Sequence, residues 1–375
     1  MADWVIRGGR VLMGGEIVRT SVTVDGCRIA DEGKASRHID AEGLLVLPGI
    51  VDIHGDGFER QIMPRQGVGF GLPLALVETD RQLIANGITT AFHGLTVSWE
   101  PGLRSIENAQ AFVDALQATR PLLACDTRLH LRWETFALDA VDLVAGWFDL
   151  EPPPILAFND HTTLTVQALR PGNKLEQWAS RAGVTSDAYV ELVNDVWSRR
   201  EEVPAAISKL AERAREKGLV LLAHDERSPA EREQFRAMGA ITSEFPMTPE
   251  TAAAAREAGE HTVLGAPNVL RGGSHTGALN AADSVGEGLC TVLASDYFYP
   301  AQLQAAFRLA AEGVASLEAA WPLVSANAAA AAGLPDRGVI EPGKRADLIL
   351  VDDSDPALPR VRAVFVAGRK VYEAA

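Results

Sequence analysis

Cysteine is scarce. Three residues, Cys27, Cys125 and Cys290, occur among 375, and no two form a Cys-x-x-Cys pair, which excludes a disulfide scaffold or a zinc ribbon and leaves free thiols of a reducing compartment. Positive charge is also short. The 35 Lys and Arg stand against 50 Asp and Glu, a formal net charge of −15, which repels nucleic acid and anionic membrane surfaces at a distance. Neither is expected as a partner. A small anionic substrate is not excluded, because a few positioned arginines and metal ions dominate locally. No apolar run approaches a membrane span, and the N-terminus has no basic head followed by an apolar core, so a cytoplasmic protein is expected. There is no low-complexity tract and no short repeat.

What is present falls into three textures. Residues 1–47 read as short β segments separated by Gly8-Gly9, Gly14-Gly15 and Asp25-Gly26, dipeptides that signal hairpins. They imply a small antiparallel sheet, too small to stand alone. From residue 48 apolar runs alternate with helical stretches, the pattern of β-α units on a parallel sheet. Eight strand candidates can be counted: 50–54, 88–93, 127–134, 155–161, 219–224, 240–245, 263–267 and 292–296. Eight such units make a closed (β/α)₈, TIM-like barrel. Several intervening helices end at a glycine where a C-cap belongs, Gly87, Gly239, Gly259 and Gly313. After about residue 335 the chain returns to strands without helices. The domain expectation is therefore a small β-sandwich built from 1–47 and 336–375, with the barrel of 48–335 inserted in it. A largely helical insertion at 162–218 carries Trp178 and Trp197.

In such barrels chemistry sits at the C-terminal ends of the strands. Five of the eight histidines, His54, His93, His161, His224 and His275, end an expected strand or begin the loop after one. Along Leu47 to Arg60 the two-residue period of a strand puts Asp52, His54 and Asp56 on one face. Taken alone, this is equally a buried strand ending in an acidic turn. Joined by Glu134, His161, His224 and Asp296 at one rim, it becomes a candidate metal site. The proposed ligands are His54, Asp56, Glu134, His161, His224 and Asp296. Mixed imidazole and carboxylate donors suit Zn²⁺, Mn²⁺ or Fe²⁺ rather than Ca²⁺. Six are too many for one open catalytic ion and about right for two, with Glu134 placed between them. Asp296 is alternatively the general base beside the activated water.

A second group, Arg271, Gly272, Gly273, Ser274 and His275, combines a flexible backbone with anion donors; the plainer reading is an ordinary loop. Arg132, on the strand face of His130 and Glu134, and Arg60 and Arg65, behind the first strand, add candidate cations. His93 is placed on the substrate side of the second strand's end.

These residues resemble the amidohydrolase superfamily: Leu-Pro-Gly-Ile-Val-Asp-Ile-His at 47–54, a Glu, two separated His, Ser295-Asp296, and Gly-Lys-Arg-Ala-Asp-Leu at 343–348. More narrowly the chain resembles the PhnM family of phosphonate-pathway hydrolases. It shares His54-Gly55-Asp56 where most relatives have His-x-His, Arg128 to Arg132 with Glu134, Asp160-His161, Ala223-His224-Asp225, Ser243 to Pro246, Arg271 to His275 and Asp336 to Ile340. The resemblance implies removal of pyrophosphate from α-D-ribose 1-methylphosphonate 5-triphosphate, with one or two divalent ions, zinc first, activating the attacking water. Departures fall at His93-Gly94, where an acidic residue is usual, and at Thr162-Thr163 and the insertion that follows. The metal chemistry therefore transfers more safely than the substrate. Two other readings stay open: an amidohydrolase opening a cyclic amide or deaminating a small nitrogenous substrate, and a barrel without catalysis serving as a scaffold. The expected partner is a small phosphorylated molecule; a homo-oligomer is an open expectation.

Overall fold

The computed structural model describes residues 2–33, 35–169, 173–273 and 279–374. Its centre is an eight-stranded all-parallel sheet whose strands follow one another in chain order. They are Ile50–Gly55, Ile88–Val97, Asp126–Glu134, Ile155–Asn159, Leu221–His224, Ala240–Glu244, His261–Gly265 and Val292–Ala294, hereafter barrel strands 1 to 8. A bridge between Gly55 and Asp296 brings strand 8 back to strand 1. Two backbone bonds flank it, from Asp296 N–H to the His54 carbonyl and from Asp56 N–H to the Asp296 carbonyl, each 2.9 Å. The sheet is thus a nearly closed TIM-like barrel. Covered on both faces, its strands carry near-continuous apolar runs; all ten residues of strand 2 are buried.

Short polar signals start the surrounding helices. Ser228 and Thr248 each cap a helix with the side-chain oxygen, and each is followed by proline at the first helical position. The insertion between strands 4 and 5 forms helices Thr162–Gln167, Asn173–Ala182, Ser186–Ser198 and Val203–Glu216.

The chain ends build two further sheets. A six-stranded sheet combines Arg10–Met13, Glu16–Arg19 and Leu45–Pro48 with the C-terminal strands Leu348–Asp352, Arg360–Val366 and Arg369–Glu373. A four-stranded sheet uses N-terminal strands only. Both are mixed rather than purely antiparallel: Ala2–Arg7 runs parallel to Ala35–Asp40, and Arg10–Met13 parallel to Leu45–Pro48. Gly14-Gly15 and Asp25-Gly26 join hairpins, whereas Gly8-Gly9 passes the chain from one sheet to the other instead of forming the expected hairpin; the strand after each hairpin returns beside an earlier one. Arg337 ties the end of the chain to the lower face of the barrel, reaching Asp126 at 2.6 Å and the Thr90 hydroxyl at 2.8 Å. Among the described residues no helix is long and apolar enough to cross a membrane.

Candidate active site

At the C-terminal rim of the barrel lies a cavity of about 730 Å³, within the usual size of small-molecule sites, about 300–1,000 Å³. His54, Arg132, Glu134, His161, His224, Asp225 and Asp296 line it, and Arg271 and Gly273 reach it from the loop after strand 7. Three residues other than glycine adopt a left-handed backbone just after a barrel strand: Asp225 (φ 58°), Phe245 (φ 52°) and Asp296 (φ 55°). Each keeps its N–H in the ladder, bonding to the carbonyl of Glu244, Val263 and His54 respectively. Such backbone is held only where the surroundings over-determine it, and it clusters at functional sites. Here it turns Asp225 and Asp296 inward.

Among the described residues the donors form three groups whose ligand atoms lie within 4.8 Å of one another: His54, Asp56 and Asp296; His161, His224 and Asp225; and His54, His130 and Glu244. In the second, Asp225 Oδ2 stands 3.2 Å from His161 Nε2 and 3.0 Å from His224 Nδ1. The latter contact lacks hydrogen-bond alignment. Burial opposes ionisation of Asp225, but His224 and His161 beside it hold the carboxyl well below the ordinary carboxylate range. In the third group His130 gives its Nδ1 proton to the Ile53 carbonyl at 2.9 Å. That turns its Nε2 towards Glu244 Oε2 at 3.4 Å, and neither atom has a hydrogen-bond partner. The other Glu244 oxygen accepts from His54 Nδ1 at 2.7 Å, which leaves the His54 lone pair on Nε2. Burial keeps both imidazoles neutral, His130 down to about 3 and His54 well below its usual value, and neutral imidazole is the form that binds metal.

Arg132 stands among these donors. Its guanidinium donates to His224 Nε2 at 3.3 Å and lies 3.6 Å from Asp56. Arg104, held by Glu59 at 2.9 and 2.8 Å, approaches the same Asp56 oxygen, Oδ2, at 3.7 Å. Burial, and then the neighbouring Asp56, push Asp296 up to about 7, with Arg132 opposing.

Several expectations need correction. Glu134 belongs to none of the three groups: its carboxylate accepts from the N–H of His161 and from the N–H and hydroxyl of Thr162, at 2.7 to 3.2 Å, so it closes the start of the following helix. His93 does not face the site. Strand 2 runs on to Val97, and at His93 the two-residue alternation turns the ring outward against Phe58 and Phe112. The site-facing neighbour is Gly94, where a Cβ would lie 3.3 Å from Arg132 Cδ and 3.5 Å from His54 Nε2. Arg65 sits in an exposed turn bridged to Val68, outside the cavity lining. Asp52 parts from His54 and Asp56, because the register with strand 2 slips between Asp52 and Gly55; it bonds the Ser295 hydroxyl at 2.5 Å and N–H at 3.0 Å instead. Ser274 and His275 lie outside the described residues. Gly272 caps the helix Ala266–Arg271 in the left-handed region. Sequence reasoning left Asp225, Glu244 and Arg104 out of the site. Glu244 ends a strand and was open to the same rule that found His224; Asp225 depends on a backbone reversal, and Arg104 on a loop, with no sequence signal.

The architecture and donor set agree with a family profile, amidohydrolase family, that matches residues 45–371. The chain belongs to the amidohydrolase family. It is a metal-dependent hydrolase. Among its relatives is the alpha-D-ribose 1-methylphosphonate 5-triphosphate diphosphatase of Escherichia coli (strain K12), 29% identical over 386 residues, covering 98% of this chain and 100% of that protein. An adenine deaminase of Methylobacterium sp. (strain 4-46) is 30% identical over 391 residues; the match covers 100% of this chain but 59% of the deaminase. The dihydropyrimidinase of Brevibacillus agri NCHU1002 shares the fold, with a TM-score of 0.65 at 16% identity over 100% of this chain and 95% of that one.

Proposed function

We propose that this amidohydrolase is a diphosphatase that removes pyrophosphate from α-D-ribose 1-methylphosphonate 5-triphosphate, acting in phosphonate metabolism in the cytoplasm. The observation that carries the reading is the end-to-end match to the Escherichia coli diphosphatase, 98% of one chain and 100% of the other. The match to the adenine deaminase leaves two-fifths of that enzyme without a counterpart. The buried Arg132 and half-buried Arg104 beside Asp56, and Arg271 at the rim, support it, since planar guanidinium suits phosphate oxygens.

The residues fit divalent ions. His54, Asp56 and Asp296 would hold one and His161, His224 and Asp225 another, the ligand atoms of each group lying within 4.8 Å of one another. Zinc, or manganese or iron, would supply Lewis acidity and make water a nucleophile at neutral pH. The chain does the rest. Arg132 and Arg271 hold the phosphates, with the Gly272-Gly273 backbone beside them, and Asp296 receives the proton of the attacking water. Glu134 and Thr162 fix the segment that carries His161. The catalytic unit is residues 48–335, and the remainder is a supporting β unit.

Purified protein supplied with each metal in turn should release pyrophosphate from the triphosphate. Release no greater than that of an Asp296→Asn control would sink the proposal. Ammonia from adenine under the same conditions would favour the deaminase reading.

A further inference from the structure

The cavity has two unlike sides. With the barrel closed between strands 8 and 1, the rim sector of strands 2 to 4 faces the sector of strands 6 to 8. Arg271 and Tyr297, from the loops after strands 7 and 8, line one side and contact each other at 3.4 Å. Trp99, after strand 2, and Leu164, Ala168 and Trp178, from the insertion after strand 4, line the other. The two indoles share an apolar base: both pack against Tyr189, with ring centroids at 6.2 and 6.4 Å, and Tyr189 is fully buried. The Trp99 ring N–H is already given to the Thr162 hydroxyl at 2.8 Å. That hydroxyl in turn bonds Glu134, 3.7 Å from the His161 ring. The aromatic side is therefore rigid and joined to the donor groups through two side chains.

Charge separates the sides further. Glu100 and Glu134 line the aromatic side; of the described cations from that sector, Arg104 is held by Glu59 through two bonds, and Arg132 stands over the donor groups beside Asp56 and His224 rather than beside the indoles. A further anionic group placed against Trp99 and Trp178 would meet carboxylates. A flat neutral ring would meet indole faces at little entropic cost.

We infer that the Trp99–Trp178 side is a subsite for a flat, neutral aromatic ring, and that the enzyme accepts ribosyl 5-triphosphates bearing such a ring on the sugar, that is, nucleoside 5′-triphosphates. This rests on the diphosphatase reading. The phosphates lie on the Arg271 side and the ring on the Trp178 side, with the donor groups between them. In the reaction a bond forms from water oxygen to the α-phosphorus, and the bond from that phosphorus to the α,β-bridging oxygen breaks. Its electron pair leaves with pyrophosphate, and the water proton passes to Asp296. The products are the nucleoside monophosphate and pyrophosphate, and no other reactant is consumed.

The test compares adenosine 5′-triphosphate with ribose 5-triphosphate on the metal-loaded full chain, wild type, Trp178→Ala and Trp178→Phe, counting pyrophosphate. In parallel, tryptophan emission is titrated with adenosine 5′-monophosphate. The wild type should show a KM for the adenine compound about ten-fold lower than for ribose 5-triphosphate, about 1.4 kcal/mol. The ratio should fall towards one in Trp178→Ala and persist in Trp178→Phe, and the monophosphate should quench wild-type emission more than that of Trp178→Ala. A wild-type ratio near one, or a ratio equal in all three proteins, overturns the subsite while leaving the diphosphatase intact. Quenching that depends on Trp178, without pyrophosphate from any triphosphate, upholds the subsite and defeats the diphosphatase reading.

Discussion

Glu244 sets the orientation of the first metal-site histidine, and its replacement separates two roles. The carboxylate is fully buried, with one oxygen on His54 Nδ1 at 2.7 Å and the other facing His130 Nε2 at 3.4 Å. As a positioning group it keeps the His54 proton on Nδ1 and the lone pair on Nε2. Glu244→Ala leaves a buried ring N–H without an acceptor, a loss of about 1–3 kcal/mol in stability, and frees the ring to turn. Metal affinity should fall about 10–100-fold, as for other outer partners of metal-binding histidines. Glu244→Gln behaves differently, since its amide oxygen still accepts from His54 and its NH₂ meets the unpartnered His130 nitrogen. Affinity within about three-fold of wild type is expected, the amide restoring a partner to both rings. The assay is metal content after dialysis against graded chelator, with the visible spectrum of the cobalt-loaded protein as a second readout and thermal melting to verify folding. If Glu244→Gln loses a full equivalent of metal, or falls as far as Glu244→Ala, Glu244 is itself a ligand and the positioning role is refuted.

Arg132→Gln removes a positive charge from among the donors, 3.6 Å from Asp56. Metal affinity should rise several-fold while KM for the triphosphate rises at least ten-fold, a split that metal titration and kinetics measure separately; both moving in the same direction would contradict the assignment. Arg337→Met removes one arginine partner from Asp126 and from Asp347, which keep Arg128 and Arg345, and should cost about 1–3 kcal/mol in denaturant unfolding. Burial raises Asp126, yet Arg128 and Arg337 outweigh it and hold the carboxyl below the ordinary aspartate value of 3.8. The stability this pair adds is therefore present above pH 3.8 and lost as pH falls through the lower, folded value. The gap between wild type and Arg337→Met should accordingly shrink in acid; a gap that widens there would refute the sign. Cys125 and Cys290 are buried, and burial pushes the Cys290 thiol up to about 12, whereas Cys27 is exposed. A thiol reagent at pH 8 should titrate one group in the native protein and three after unfolding; rapid reaction of all three in the native state would disagree with the packing.

The barrel was legible because two periods carried it. Apolar runs of strand length alternated with helical segments, and doubly covered strands have no polar face to confuse the pattern. Strand-end histidines could be found by the same means, since the C-terminal rim is where a barrel exposes side chains. The limits of that reasoning show at particular residues. His93 was placed at a strand end because the apolar run was cut four residues short of Val97, and a strand's face depends on phase, not on proximity to its end. Glu134 was read as a free ligand because nothing in sequence reveals that Thr162 returns to bond it.

Linear sequence by itself determined the family, the parallel order of the strands and the presence of His54, Asp56, His161, His224 and Asp296 near one rim. Local chemistry and a two-residue or helical period are enough for that. Only the tertiary structure decided which of these atoms converge. Left-handed backbone at Asp225 and Asp296, the register slip after Asp52, and the meeting of His130 on strand 3 with Glu244 on strand 6 are consequences of closure. Closure brings together residues far apart in the chain, so no local pattern encodes it.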